Sequence, residues 1–550
     1  MNLKSHLKSG TATDSDSGRS PSDDEKAIGH GHITNVHGDE LPPDPDEHLS
    51  PEEKAEIDRK LLWKLDLRLI PWLCLLYLIS FLDRTNIGNA KIQGLQKDLK
   101  MTDSEYNFSL TIFFISYSIF EPLTNILLKR LRPSVFIPVI MLLWGICMTL
   151  MGLVTNFAGL VAARWFLGLT EAGLFPGVNY YLSCWYKRSE FGVRAAIFFS
   201  AAAVAGSFGG LLAAAIAQMD GVGGRDGWAW IFILEGIITV FVGIISFWVV
   251  QDFPDEAKFL SVDERRRVVR RLKEDKQSSA EHEEFKMSYF WASVKDWKTY
   301  TGMVIYMGAV GSLYAFSLFV PTIIRDLGYT STTAQLLSVP PYAVAAVLTI
   351  VVGIVADRTR QRGLCNIAVS FLGIIGFAML LGKLFALHFD HSHLTSLPTP
   401  ISSIHRCMTL TNKFPLGTAK PGVQYAGVYL AALGIYPCIA NTISWTANNV
   451  EGVYKRGVTL GFVIGWGNLN GVVSSNIYRD EDAPRFLPGH GSVLAYLTLF
   501  LLGGSVVQRF LLVRENKKRA SGLRDGWAEG KTEDEIERLG DKRPDFIYTI

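Results

Sequence analysis

The sequence predicts an all-α polytopic membrane protein: twelve transmembrane helices arranged as two pseudo-symmetric six-helix bundles. Three observations carry that expectation. Hydrophobic residues make up 49% of the 550-residue chain and charged residues only 19%, with a mean hydropathy of +0.20. The charges gather in the two tails and one central segment, leaving long tracts almost free of them. Those tracts can span a bilayer, since crossing about 30 Å of hydrocarbon takes about 20 apolar residues. They fall six before and six after the central segment, the layout of a carrier built from two related halves.

Residues 1–60 hold no apolar run and are rich in Ser, Asp, Glu, Pro and His, a composition that cannot bury a core, so a disordered tail is expected. The tail also lacks the apolar core of a signal peptide, which leaves targeting to the first span. Within an N-terminal bundle over 61–251, spans are expected near 67–86, 107–128, 134–154, 157–183, 192–218 and 229–250. A linker over 252–298 contains the basic run "ERRRVVRRLK", read as a solvated amphipathic helix with lipid-headgroup contact as the alternative. The C-terminal bundle, 299–513, places spans near 300–324, 334–356, 365–387, 424–447, 457–477 and 491–513, and a short charged tail follows over 514–550.

Residues 388–422 interrupt the second bundle as an irregular insertion outside the membrane. Its His388, His391, His393, His405 and Cys407 match no firm zinc spacing, so no metal is expected. The other five cysteines fall inside apolar runs and read as packing residues. Short loops rich in Lys and Arg ("KRLR" at 129–132, "KRSEFGVR" at 187–194, "DRTRQR" at 357–362, "KR" at 455–456) alternate with poorer or mixed ones. That bias puts the linker and both termini in the cytosol.

Charges inside the spans carry the functional signal, because an ionisable group in hydrocarbon usually marks a path for ions or substrate. Asp83 and Arg84 end the run "LRLIPWLCLLYLISFL". Arg164 and Glu171 are seven residues apart, nearly two turns, so they share one helix face. Two acids and two bases in low dielectric can neutralise one another. An arriving carboxylate competes for an arginine and frees the acid to take a proton, which links the two binding events. Static salt bridges that fix helix packing are the alternative reading of the same four residues. Glu121, with Pro122 behind it, faces either the cavity or a packing and gating contact. Asn448, Asn449, Asn468 and Asn470 can hydrogen-bond a substrate or join helices to one another. Trp445, Tyr436 and Phe175 can stack on an aromatic ring, and Glu190 and Arg194 read as a local pair.

After span eight the chain reads "GIVADRTRQR": Gly353, then Asp357 and Arg358, with Arg362 four residues further on. This resembles the cytosolic loop signature of the major facilitator superfamily, and the copy after span two, "NILLKRLRP", is degraded. The stretches "LDRTNIGNAKIQGL", "FEPLTNILLKRLRPS", "ARWFLGLTEAGLFPGVNYYLSCWYKRSEFGVRAAIFFS" and "GWAWIFILEGI" resemble the anion:cation symporter branch, above all its fungal allantoate and nicotinic acid permease group. The later "ISWTANNVEGVYKRGV" and "IYPCIANT" suit the same group.

The resemblance implies the major facilitator fold and proton-coupled uptake of a small carboxylate, such as nicotinate, allantoate or pantothenate, across the plasma membrane. It further implies protonation at Asp83 and Glu171, and anion binding by Arg84 and Arg164. The expected partners are the anion, a proton and the bilayer, for a monomer with no cofactor and no nucleic acid. An exporter of a fungal metabolite and a non-transporting nutrient sensor are the rival readings. An enzyme is not expected, because no nucleophile, metal or phosphate-cradling motif accompanies the spans.

Overall fold

The computed structural model describes residues 45–46, 48–274, 287–382, 421–532, 535–536 and 539–550. Long helices dominate, and no strand occurs among the described residues. The first half contains span one (Pro51–Ile92), two (Asp103–Arg130), three (Pro133–Met151), four (Phe157–Glu171, continuing as Leu174–Ser183), five (Arg188–Ile216) and six (Gly227–Val249). The second contains span seven (Trp297–Asp326), eight (Ser331–Thr359), nine (Arg362–Leu381), ten (Pro421–Asn448), eleven (Val453–Ser474) and twelve. Span twelve runs from Leu487 to Ala520 through a π-helical stretch, Tyr496–Leu502. Among the described residues, nine of these helices are long and apolar enough to cross a membrane by themselves. Spans two, four and eleven are the exceptions. Span four is broken at Ala172 and Gly173, and span eleven carries the polar "GNLNG".

Span one starts at Pro51, earlier than the expected end of an unstructured tail at 60. Ser50 and Glu53 explain the start: the Ser50 hydroxyl accepts from the Glu53 N–H at 3.3 Å, and the Glu53 carboxylate accepts from the Ser50 N–H at 2.9 Å. This reciprocal cap satisfies two otherwise orphaned donors. The insertion expected at 388–422 lies outside the described residues, apart from Pro421 and Gly422, which open span ten. Cys74, Cys147, Cys184, Cys365 and Cys438 are free thiols.

Within the first half, span three packs on six and two on four; within the second, nine packs on ten and seven on eleven and twelve. The seam between the halves is built from span five against eight, two against eleven, and one against seven. Gly353 belongs to this seam, since a Cβ there would sit 2.4 Å from the Cβ of Ala196 on span five. Asp357 pairs with Arg362, whose Nη1 also donates to Asn441 Oδ1 at 3.2 Å, while Arg358 is exposed. The loop motif thus ties span eight to spans nine and ten. The side chains of Asn125 and Lys129, in the degraded copy, lie outside the description.

Two segments outside the spans are docked on the face that carries the basic loops. The linker helix, Val262–Glu274, buries Val268 and Leu272 and pairs Glu264 with Lys64 at 2.8 Å, Arg267 with Asp46 at 2.5 Å and Arg271 with Glu190 at 2.5 Å. Its charges therefore find protein partners, which corrects the reading of a solvated rod. Glu190 and Arg194 do not pair through their side-chain charges either: Arg194 binds Asp66 at 2.6 Å and reaches only the Glu190 backbone carbonyl. The C-terminal residues fold back likewise. Asp541, 1% exposed, takes Lys298 Nζ at 2.5 Å and Lys455 Nζ at 2.6 Å. Trp445 Nε1 donates to the Thr549 carbonyl at 2.9 Å.

Candidate functional site

Arg84 is the centre of the buried polar network. Its Nη2 and Nε reach Glu171 Oε1 at 2.6 and 3.2 Å, and Ser80 Oγ donates to the same oxygen at 2.5 Å. Ser80 and Arg84 are four residues apart on span one and so share a face. Glu171 ends the first segment of span four, where the helix breaks and its carboxyl can turn inward. The guanidinium lies near the rings of Tyr117, Phe113 and Tyr314, at 4.9, 5.4 and 5.7 Å from their centroids. Aromatic faces offset part of the loss of water around a buried cation.

From Arg84 the network crosses into the second half. Nη1 donates to the Tyr314 hydroxyl at 2.9 Å, Tyr314 donates to Asn468 Oδ1 at 2.8 Å, and Asn468 Nδ2 donates to Glu121 Oε2 at 3.0 Å. Spans one, two, four, seven and eleven are thereby joined by one chain of hydrogen bonds. Beside it lies a small cavity, lined among others by Tyr77, Phe175, Phe199, Tyr306 and Asn468.

The sequence-predicted residues divide between this centre and other places. Arg84, Glu171, Glu121 and Asn468 meet there. Arg164 is fully buried on the next turns of span four, but it forms no ion pair with Glu171. Its Nε donates to the Ser109 carbonyl at 3.3 Å, its plane covers Phe113 at 4.7 Å, and its two terminal nitrogens have no hydrogen-bond partner among the described residues. Phe175 borders the cavity and stacks on Phe198, while Tyr436 packs edge-on against Phe81 and Tyr342.

Asp83 departs from expectation. Its Oδ2 accepts from Trp144 Nε1 on span three at 2.9 Å and from Thr239 Oγ1 on span six at 2.8 Å. Successive helical residues are about 100° apart around the axis, so with Arg84 toward the cavity, Asp83 turns into the first half. Three asparagines are also elsewhere. Asn448 ends span ten, and Asn449 holds the Thr549 backbone, accepting its N–H at 2.8 Å and donating to its carbonyl at 3.0 Å. Asn470 accepts from Tyr496 on span twelve at 3.0 Å. Those three positions serve helix ends and packing in this structure.

Sequence reasoning missed Ser80, Tyr117, Tyr314 and Glu235. Glu235 had a visible signal, a lone acid inside "IFILEGIITVFV". The tyrosines had none, since aromatic residues in spans ordinarily pack. Among the described residues no group of His, Cys, Asp and Glu is arranged to hold a metal ion.

A two-bundle helical carrier fold with a charged centre at the junction of its halves defines a secondary transporter class, and comparison identifies it. The profile of the Major Facilitator Superfamily matches residues 73–507, and the chain belongs to that family. It is 34% identical to the MFS-type transporter cnsO of Penicillium expansum over 512 residues, covering 92% of this chain and 93% of that protein. It is 31% identical to the high-affinity nicotinic acid transporter of Saccharomyces cerevisiae over 506 residues, covering 90% and 86%. Among solved structures, the proton:xylose symporter XylE aligns with a TM-score of 0.56 at 14% identity, covering 80% of this chain and 95% of XylE. That likeness concerns the fold.

Proposed function

We propose that the protein imports a small organic carboxylate across the plasma membrane together with a proton, with both termini in the cytosol. The observation that carries this reading is Arg84, a buried guanidinium beside the central cavity whose only ion-pair partner among the described residues is Glu171. A substrate carboxylate has the geometry to take the place of Glu171 on that fork. Glu171, left buried without its cation, then takes a proton, and the loaded site stays close to neutral. Anion and proton bind more favourably together than apart, which is the requirement for coupling.

The charge inventory supports the same reading. Within the spans of the first half, Asp83, Glu121, Glu171 and Glu235 are four buried acids against three buried bases, Arg84, Arg164 and Lys91, and Lys91 is paired with Asp480, so these acids outnumber the cations left to neutralise them. The aromatic walls around Arg84 suit a flat ring, and the similarity to a nicotinic acid transporter favours an aromatic monocarboxylate as the first compound to try. The test is uptake of labelled nicotinate by cells or vesicles containing the protein, under an imposed proton gradient. Accumulation above equilibrium that collapses with the gradient is expected. Efflux-only transport would support the exporter instead, and ligand binding without flux would support a sensor.

A further inference from the structure

Span one separates two charge systems. Arg84 faces the cavity; one residue earlier, Asp83 faces spans three and six. There two rungs join one turn of span one to one turn of span six: Thr239 Oγ1 donates to Asp83, and Asn86 Nδ2 donates to Glu235 Oε2. Asp83 and Asn86 are three residues apart and Glu235 and Thr239 four, so Asp83 and Glu235 sit on neighbouring turns, about 5 Å apart along the axes. Both side chains are sealed from solvent, at 0% and 1% exposure. Each also keeps one oxygen, Asp83 Oδ1 and Glu235 Oε1, that accepts no hydrogen bond from the described residues.

Among the described residues no cation pairs with either of them. Span three contributes Trp144 and span six Thr239, both neutral donors. The charged group acting on Glu235 is Asp83, and the one acting on Asp83 is Glu171, a third acid. Arg84 spends its donors on Glu171 and Tyr314. Two ionised carboxylates in low dielectric without a counterion repel strongly, and a proton bound by one of them removes that repulsion. The two unpartnered oxygens are the acceptors such a proton has available. Asn86 and Asn89, hydrogen-bonded to each other at 3.0 Å, extend the polar strip from Glu235 toward the end of span one that holds Lys91 and Asp480.

We infer that Asp83 and Glu235 form a proton-binding carboxyl pair, separate from the anion centre and lying between span one and span six. Glu235 thereby joins the proton-handling residues. Gain or loss of the proton changes how span one is held against span six, and span one is the element that presents Arg84. The part the pair plays in transport rests on the proton-coupled reading above; its proton occupancy does not.

Two measurements keep those apart. Infrared spectroscopy of the purified protein without substrate, at neutral pH, should show the carbonyl stretch of a protonated carboxylic acid that shifts in deuterium oxide. The band should move in Asp83→Asn and in Glu235→Gln, and vanish in the double variant, while a contribution of Glu121 persists. A double variant with an unchanged carboxylic-acid band overturns the pair, whether or not nicotinate is a substrate. In vesicles, Glu235→Gln should flatten the pH profile of nicotinate uptake, losing about tenfold of its acid stimulation, with counterflow exchange retained. A profile matching the unmodified protein overturns the coupling role. If Glu235→Gln does not reach the membrane, Glu235→Asp, which keeps a titratable group, should restore both folding and a pH-dependent profile; a pH-independent one counts against the inference.

Discussion

The two halves share a fold and divide its chemistry unequally. In the first half seven charged side chains are buried within the spans: Asp83, Arg84, Lys91, Glu121, Arg164, Glu171 and Glu235, with Lys91 at the end of span one. In the second, residues 299–324, 327–356, 363–381, 421–450, 457–478 and 486–508 contain no Asp, Glu, Lys or Arg at all. What the second half brings to the centre is neutral, Tyr314 and Asn468, and its buried ions, Asp296, Lys298, Arg362, Lys455, Arg456, Arg519 and Asp541, lie at the basic face. One half therefore carries the charge at the centre, and the other meets it with neutral hydrogen-bonding groups. Such a division lets the halves part and rejoin at the centre without separating an ion pair, because the bonds that cross the seam there are single hydrogen bonds, each worth about 1–3 kcal/mol net, while the ion pair Lys91–Asp480 crosses it at the end of span one.

The strongest way to break that comparison is Arg84→Ala. Glu171 would be left buried without a cation, a change that costs about 3–5 kcal/mol. Uptake should fall below detection at matched protein level, with a lowered melting temperature. Retained uptake would make the charge of the first half purely structural. Next comes Gly88→Ala, at the place where span one touches span seven. A Cβ there would stand 2.4 Å from the backbone carbonyl of Leu318, an overlap expected to cost about 1–3 kcal/mol. The halves should be pushed apart at that end, and a cysteine placed nearby should react faster with a water-soluble maleimide. An unchanged labelling rate would show that the seam yields there freely.

Tyr314→Phe sharpens the comparison from the neutral side. It removes the hydroxyl between Arg84 and Asn468 but leaves every ion pair, so a loss of about 1 kcal/mol, near fivefold in kcat/KM, is expected. An effect as large as that of Arg84→Ala would contradict the division of labour.

The smallest effect concerns acid. Burial works against the charge on Asp296, yet the ammonium groups of Lys298 and Lys455 outweigh it and hold its carboxyl below the ordinary value. A depressed carboxyl contributes stability that is present above its unfolded value, about 3.9, and lost as pH falls through the lower folded one. The C-terminal segment should therefore stay docked at pH 5 and become protease-sensitive only in stronger acid. Lys455→Met should move that release to higher pH. Release already at pH 6 in the unmodified protein would count against the ion cluster as its tether.

Much of this was legible in the residues. Apolar runs of span length, their grouping on either side of a charged linker and the loop at 353–362 define a twelve-span carrier, because hydrocarbon thickness imposes run length on any sequence that crosses it. Arg84, Glu171 and Glu121 could also be singled out, since charge in such a run is rare enough to stand out. Helix rotation was not legible. Nothing local says whether Asp83 or Arg84 faces the cavity; that is decided by Trp144 and Thr239, which lie 61 and 156 residues away in the chain. The same holds for Glu235, for the tyrosines around Arg84, and for Asn449, whose partner is the backbone of Thr549. Composition sets which segments must leave water. The packing of one helix against its neighbours sets which side of each segment meets which partner, and only the tertiary structure contains that information.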